Sequence, residues 1–242
     1  MHRLILPAVF VLLMSACSTY QYMTVDSPQM KKDDHSPLTF ENDTLKMTYR
    51  ISGKGGPVEL DIYNKTNQPL YVNWKKSAFI HNDLTTSLFN NNITMIGRPP
   101  IAAYRTGQIT PTEGRYASGL SVPEGIDFIP PASGISKALP NLSRLGILET
   151  DLLDTLPQKK LIAADGLNYT RYRQRTYGED QSPVRFRCYI TFSIGSNNGQ
   201  EFAETNSFYV GEICQTTSAP DFFALYRQQG DQFYITTSSN IR

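Results

Sequence analysis

The sequence is poor in several features that define whole classes of protein. Its 242 residues include 3 Cys, 3 His and 1 Trp, and 23 Lys and Arg stand against 22 Asp and Glu, a formal net charge of +1. Three cysteines are too few for a disulfide-dense scaffold or a four-cysteine zinc site, so we expect no metal. A net charge this close to zero excludes the positive field that non-specific nucleic-acid binding requires, so we expect no nucleic-acid partner.

Motifs for catalysis are also missing. The chain has no G-x-S-x-G elbow, H-E-x-x-H pair, P-loop, calcium loop or dinucleotide fingerprint. Beyond residue 37 the one histidine is His81, and a Ser-His-Asp hydrolase would have to use it. Carboxylate pairs stay open, because such partners meet in space rather than in sequence. We therefore predict no catalytic residues and no cofactor, and we keep a hydrolase around His81 as the least favoured alternative.

The first residues form an apolar run that is too short to cross a membrane. The run covers residues 4–14, whereas a spanning helix needs about 20 residues. Arg3 precedes the run and small residues follow it, an order typical of a signal peptide over residues 1–16. Met14-Ser15-Ala16-Cys17 resemble the lipobox of bacterial lipoproteins, and this resemblance implies that the thiol of Cys17 carries the lipid.

The same resemblance implies how the protein meets its membrane. Removal of residues 1–16 takes away Arg3 and leaves 22 charges of each sign, so binding would rest on the acyl chains. Ser18, rather than Asp, follows the cysteine, which resembles an outer-membrane sorting signal. Residues 18–22 carry no acidic run of the kind found in surface-exported lipoproteins of Bacteroidota, which favours the periplasmic face over the cell surface.

Residues 17–37 are typical of a lipidated cysteine followed by a flexible tether. The segment is polar, contains Pro28 and Pro37 and shows no sustained period. We therefore predict a signal peptide over residues 1–16, this tether over residues 17–37, and a single domain over residues 38–242.

From residue 38 onward the dominant hydrophobic period is two, which predicts strands. Apolar and polar residues alternate over residues 45–51, 58–62, 70–74, 184–194, 208–213 and 233–236. A glycine-rich turn at residues 52–56 predicts that the first two strands form a hairpin, which the third extends to an antiparallel meander. The chain is therefore predicted to be mainly β, as an antiparallel, immunoglobulin-like β-sandwich.

The middle of the chain, residues 84–178, is less regular and is predicted to be rich in loops. Residues 126–131 predict an edge strand that ends at two prolines. Leucines recur near the helical period from Leu142 to Leu156, which predicts one short helix.

The lipobox and the pattern LDIYNKTNQPLYVNW at residues 60–74 together resemble uncharacterised β-sandwich lipoproteins of Bacteroidota. This family supplies no catalytic residues for the chain. Two short stretches, centred on Thr44 and Thr155, also resemble the Asp-Ser/Thr-apolar O-glycosylation motif of exported Bacteroidota proteins. The resemblance implies modification of those two threonines.

Cys188 and Cys214 are the cysteines left in the predicted domain. An exported compartment is oxidising, which favours a disulfide between them. The alternative is a pair of buried thiols that act as small hydrophobic side chains.

Two groups of residues are candidates for binding an anion or a glycan. Five arginines would converge if their two strands pair, and they could then grip sulfate, phosphate or uronate groups. They are Arg171, Arg173, Arg175, Arg185 and Arg187. Tyr71, on the face opposite Trp74, could stack on a sugar ring. The alternatives are a solvated sheet face for the arginines and ordinary packing for the aromatic residues.

We therefore expect a lipid-anchored envelope lipoprotein in the outer membrane, bound to the membrane through its N-terminal lipid. Its body is expected to be a non-enzymatic structural or interaction module that contacts an envelope protein. The alternative function is that of a surface lipoprotein that binds a glycan.

Overall fold

We describe the protein from a computed structural model, which covers residues 18–30, 37–81, 84–89, 94–95, 120–121, 125–145, 156–162 and 169–238. The predicted signal peptide, Cys17 and Thr155 lie outside these described residues. Within them the fold is mainly β with almost no helix, which confirms the predicted class.

Fifteen strands are described. They are β1 (Ser18–Asp26), β2 (Leu38–Glu41), β3 (Leu45–Lys54), β4 (Val58–Asn64), β5 (Leu70–His81), β6 (Leu84–Ser87), β7 (Thr94–Met95), β8 (Leu120–Ser121), β9 (Ile126–Ile129), β10 (Gly134–Leu139), β11 (Lys159–Ile162), β12 (Tyr169–Thr176), β13 (Arg185–Ile194), β14 (Glu201–Thr216) and β15 (Asp231–Ser238).

Thirteen of these strands belong to one mixed sheet that is curled into a half-barrel. Its main path runs β10-β4-β3-β15-β1-β14-β13-β5-β6, and β2, β9, β11 and β12 join it from the side. The pairing of β15 with β3 is parallel, whereas the other pairings are antiparallel. An antiparallel immunoglobulin-like sandwich is therefore not confirmed.

The predicted hairpin is confirmed, but the predicted meander is wrong. β3 and β4 pair antiparallel, and positive φ angles of 89°, 77° and 65° occur at Gly53, near the end of β3, and at Gly55 and Gly56 in the turn that follows. β5 then leaves β4 and pairs with β13 instead, over the register from Phe186↔His81 to Ile194↔Leu70. β4 takes β10 as its second neighbour. β4 and β5, which follow each other in the sequence, are therefore not neighbours in the sheet.

The predicted flexible tether is wrong for its first part, because residues 18–26 form β1 inside the sheet. β1 pairs antiparallel with β14 on one side and with β15 on the other. Met23 and Val25 are buried in the main core, at 1% and 0% exposure. The described part of the sheet therefore includes the residue that directly follows Cys17.

The main core lies on one face of the curled sheet and takes the inward residues that alternation predicts. Met47, Tyr49 and Ile51 of β3 are buried there with Phe186 and Cys188 of β13. The hydroxyl of Tyr49 donates a hydrogen bond to Asn206 Oδ1 over 2.8 Å. Burial raises the pKa of this hydroxyl well above its usual range. The core thus contains a polar pair whose hydrogen bond offsets its desolvation.

A bulge in β14 changes which face its residues occupy. The register with β1 shifts between Thr24, opposite Glu212, and Val25, opposite Val210, so Gly211 has no partner in β1. A Cβ at this glycine would lie against the carboxylate of Asp26. Ile213 and Val210 both face the main core as a result, at 0% exposure each.

The described part of the predicted short helix is a 3₁₀ turn. It covers Leu142–Leu145, and its first residue is buried in the main core. Residues 146–155 lie outside the described residues. The predicted edge strand is present as β9, which pairs with Leu70–Asn73 of β5.

Candidate functional site

The end of the sheet that receives Cys17 is fixed by the first residues of β1. Tyr20 lies opposite Thr216 of β14 and Thr236 of β15, and Ser18 lies opposite Ser238. A peptide bond joins Cys17 to Ser18. A group on Cys17 is therefore joined to this end of the sheet through Ser18.

A small aromatic cluster anchors this part of β1 on the face opposite the main core. The ring of Tyr22 lies 4.7 Å from that of Phe223 and 4.9 Å from that of Tyr226. Its hydroxyl donates a hydrogen bond to the Ser218 carbonyl over 2.8 Å. Cys214 is buried in the same cluster. Because β1 is packed on both faces, its start has little freedom to move away from the body.

The hairpin of β11 and β12 reaches the same end of the sheet. Tyr172 of β12 lies opposite Thr216, on the rung of Tyr20, and β12 runs in the same direction as β1. Thr170 is therefore two residues beyond that rung, just as Ser18 is. Two strand spacings separate β12 from β1, so Thr170 and Ser18 are about 10 Å apart across the sheet.

The described residues of this hairpin combine exposed apolar surface with positive charge. Ile162 is 67% exposed and lies opposite Tyr169, which is 50% exposed. The Lys160 Nζ is 5.1 Å and the Arg171 Cζ is 5.5 Å from the centre of the Tyr169 ring. Arg171 also donates a hydrogen bond to the Tyr169 hydroxyl over 3.1 Å. We call these four residues, Lys160, Ile162, Tyr169 and Arg171, the hairpin patch.

Lys160, Ile162 and Tyr169 were not identified from the sequence. The signal available was the segment KKLI at residues 159–162, which carries two lysines and no acidic residue. In the described parts of β11 and β12 the charged side chains are all basic.

The five predicted arginines do not converge. β12 and β13 do not pair with each other; each pairs with a different part of β14. Arg175 lies opposite Ile213, which faces the main core, whereas Arg185 lies opposite Tyr209, which points the other way between Phe208 and Val210. Arg171 and Arg173 share the face of Arg175, and Arg187 shares that of Arg185.

The two groups of arginines therefore have different surroundings. Arg173 donates a hydrogen bond to the Leu156 carbonyl, and Arg175 lies over the ring of Tyr177 at 5.4 Å. Arg185 and Arg187 line an open cleft of about 370 Å³ together with Glu179. The carboxylate of Glu179 offsets part of the positive charge in that cleft. The predicted five-arginine anion site is not formed.

The predicted disulfide is wrong, because Cys188 and Cys214 are separate buried thiols. Cys188 belongs to the main core and Cys214 to the aromatic cluster on the opposite face. Cys188 lies opposite Asn206, eight residues before Cys214, a separation of about 26 Å where a disulfide needs about 7 Å or less. Burial raises the pKa of Cys188 to about 12 and that of Cys214 still further.

The structure places His81 at the end of β5, against the neighbouring strand β13. It is 7% exposed, and its Nδ1 lies 2.7 Å from the Arg185 carbonyl in the neighbouring strand. The described residues that line the open cleft beside it do not include His81. Among the described residues, no group of three or more His, Cys, Asp or Glu could hold a metal ion.

Tyr71 and Trp74 lie on different faces of β5, as predicted. Trp74 is buried in the main core, and its Nε1 donates a hydrogen bond to Asp127 Oδ2 over 2.7 Å. Tyr71 lies opposite Phe128 of β9, with the ring centres 5.3 Å apart. Phe128 is 53% exposed, so the pair forms an aromatic surface far from the arginines of β12. The role of Asp127 was missed, because its strand is not adjacent in sequence.

Thr44 lies in the turn between β2 and β3 and is half-buried. Its backbone N–H, and that of Leu45, donate hydrogen bonds to Asn42 Oδ1. The turn is an ordered part of the fold that brings a threonine to the surface of the body.

Comparison of the chain with protein-family models, with curated proteins and with solved structures gives no match. Among the described residues, no helix is both long and apolar enough to cross a membrane.

Proposed function

We propose that the chain is a lipid-anchored lipoprotein of the bacterial outer membrane whose body is a non-enzymatic structural or interaction module on the periplasmic face. The sequence Met14-Ser15-Ala16-Cys17 supplies the acceptor for the lipid. The observation that supports the proposal best is the position of β1, which begins one residue after Cys17 and lies between β14 and β15. A lipid on Cys17 would hold the body itself, rather than a loose tether, at the membrane.

Metabolic labelling with a radioactive fatty acid tests the anchor. We expect the full-length chain to take up label and to fractionate with outer membranes, and Cys17→Ala to do neither. Cys188→Ala is the matched control, because that thiol is buried in the main core and should leave the labelling unchanged. Equal labelling of the wild type and Cys17→Ala would refute the proposal.

As a second function we propose glycan binding by the pair of half-buried Tyr71 and exposed Phe128. Their rings are 5.3 Å apart and tilted by 54°, an arrangement on which a sugar ring can stack. Affinity electrophoresis in gels that contain envelope polysaccharides should show retardation that Phe128→Ser removes. Phe202→Ser, at an aromatic residue of similar exposure, should keep it. Protection of the body from protease on intact cells would refute capture of an extracellular glycan.

A further inference from the structure

We propose that the hairpin patch is a membrane-docking surface. Ile162 and Tyr169 enter the interfacial layer of the leaflet that holds the lipid on Cys17, and Lys160 and Arg171 bind the phosphates of its anionic headgroups. This inference rests on the proposed lipid anchor and adds to it the orientation of the body.

Position is the first argument. Ser18, which follows Cys17 directly, and Thr170 are each two residues beyond one rung of the sheet, that of Tyr20, Thr216 and Tyr172. They are about 10 Å apart, and no tether lies between the anchored residue and the sheet. Acyl chains attached at Cys17 therefore bring this end of the sheet to the membrane surface, with the hairpin beside the point of attachment.

Chemistry is the second argument. Tyrosine is enriched where a membrane meets water, because its ring is apolar and its hydroxyl is polar. The cations of Lys160 and Arg171 flank the Tyr169 ring within 5.5 Å, so a phosphate group above the ring would have two positive partners. Basic side chains close to an anionic membrane each strengthen binding about fivefold. The patch supplies this locally in a body that has no net charge overall.

A further exposed aromatic residue lies close to the same hairpin. Phe222 is 79% exposed, the highest value among the described large hydrophobic side chains. Its neighbour Phe223 packs on Tyr172 of β12 at a ring distance of 6.1 Å, on the face of the hairpin opposite the patch. Phe202, in contrast, is 43% exposed but lies fourteen residues along β14 from Thr216, about 46 Å away at 3.3 Å per residue. Phe202 therefore provides a control position on the same sheet.

A fluorescent probe at the patch tests docking. The lipidated protein carrying Ile162→Cys or Phe202→Cys is labelled with an environment-sensitive thiol dye and placed in vesicles of phosphatidylethanolamine and phosphatidylglycerol. Cys188 and Cys214 are buried with raised pKa values, so the dye attaches at the introduced cysteine. We expect a blue-shifted emission, quenched by nitroxide-labelled lipid, at position 162 and the emission of a water-exposed dye at position 202.

Charge removal supplies the second measurement. The double variant Lys160→Ser, Arg171→Ser should have a ratio of docked to undocked probe about 25-fold below that of the unchanged patch. The unchanged patch on vesicles of phosphatidylcholine alone should show the same decrease. Arg185→Ser with Arg187→Ser removes two exposed charges from the opposite face and should leave the ratio unchanged. Unfolding midpoints of both double variants verify that they fold.

The outcomes separate docking from anchoring. A vesicle-bound, lipidated protein whose probe at position 162 reports water, as at position 202, would overturn docking while the anchor stands. Absence of acylation at Cys17 would overturn the proposed anchor instead. The chain that starts at Cys17 is then coupled through its N-terminal 1,2-aminothiol to an aldehyde phospholipid, which forms a thiazolidine with loss of water and leaves internal cysteines for the dye. The same comparison of positions 162 and 202 decides whether the patch docks.

Discussion

The position of β1 inside the sheet can be tested by truncating one of its buried side chains. Met23 is 1% exposed and belongs to the main core. Its replacement by alanine removes buried contacts and leaves a cavity, which costs about 3 kcal/mol within the range of 2–5 kcal/mol for such changes. If residues 18–26 were a flexible tether, Met23→Ala would leave the free energy of unfolding unchanged, since the side chains of a tether are in water both before and after unfolding.

Urea unfolding followed by the fluorescence of Trp74 measures this cost. Trp74 is the one tryptophan of the chain and is buried, so its emission reports the main core. With an m-value of about 3 kcal/mol per molar urea for a domain of this size, Met23→Ala should lower the midpoint by about 1 M.

Ser18→Ala is the matched control in the same strand, because Ser18 is exposed. Surface changes stay within about 0.5 kcal/mol, so its midpoint should move by less than about 0.2 M. If Met23→Ala also shifts the midpoint by less than about 0.2 M, the burial of β1 in the main core is refuted.

Three further predictions concern other buried groups. Cys188 and Cys214 should stay unreactive towards a thiol reagent until the protein unfolds, and migration on a gel without reductant should match migration with it; a disulfide-dependent shift would contradict the assignment. Because burial raises the pKa of Cys188 from 9.0 to about 12, its contribution to stability is complete below pH 9 and is lost as the pH rises towards 12. The free energy of unfolding measured in urea should therefore fall more steeply with rising pH in the wild type than in Cys188→Ala, by up to about 1.4 kcal/mol per pH unit. Parallel curves for the two proteins would show that this pKa is not raised. Asp127→Ala should cost about 2 kcal/mol by removing the acceptor of the Trp74 Nε1–H, whereas Asp127→Asn, which keeps an acceptor, should cost less; equal losses would argue against the hydrogen bond.

Strands that are buried on one face were predictable from the sequence, and β1 was not. β3 and β4 alternate clearly because one face meets the core and the other is more open to water. In β1, Met23 faces the main core while Tyr22 faces the aromatic cluster, so the strand is buried on both faces. The alternation of apolar and polar residues in β1 is therefore weak. The prolines and charged residues that follow β1 dominate the composition of residues 17–37.

Strand order was the part that local patterns could not supply. The convergence of the arginines required β12 and β13 to be neighbours, but β14 is long enough to pair with each of them at a different place. The predicted disulfide was wrong for a related reason. The oxidising compartment favoured the bridge, but no local pattern predicts that the two cysteines lie on opposite faces, which depends on the register of β14 and its bulge at Gly211.

The place of β15 in the sheet has a consequence for the timing of folding. β15 is the strand that joins β1 to β3, through pairs such as Tyr22↔Tyr234 and Asp231↔Ile51. Contacts this distant along the chain form late, since they must wait for a large loop to close. A growing chain that has reached only residue 230 therefore carries open edges on both β1 and β3. The sheet can be completed only once residues 231–238 have been made, and until then those edges are open to pairing with other chains.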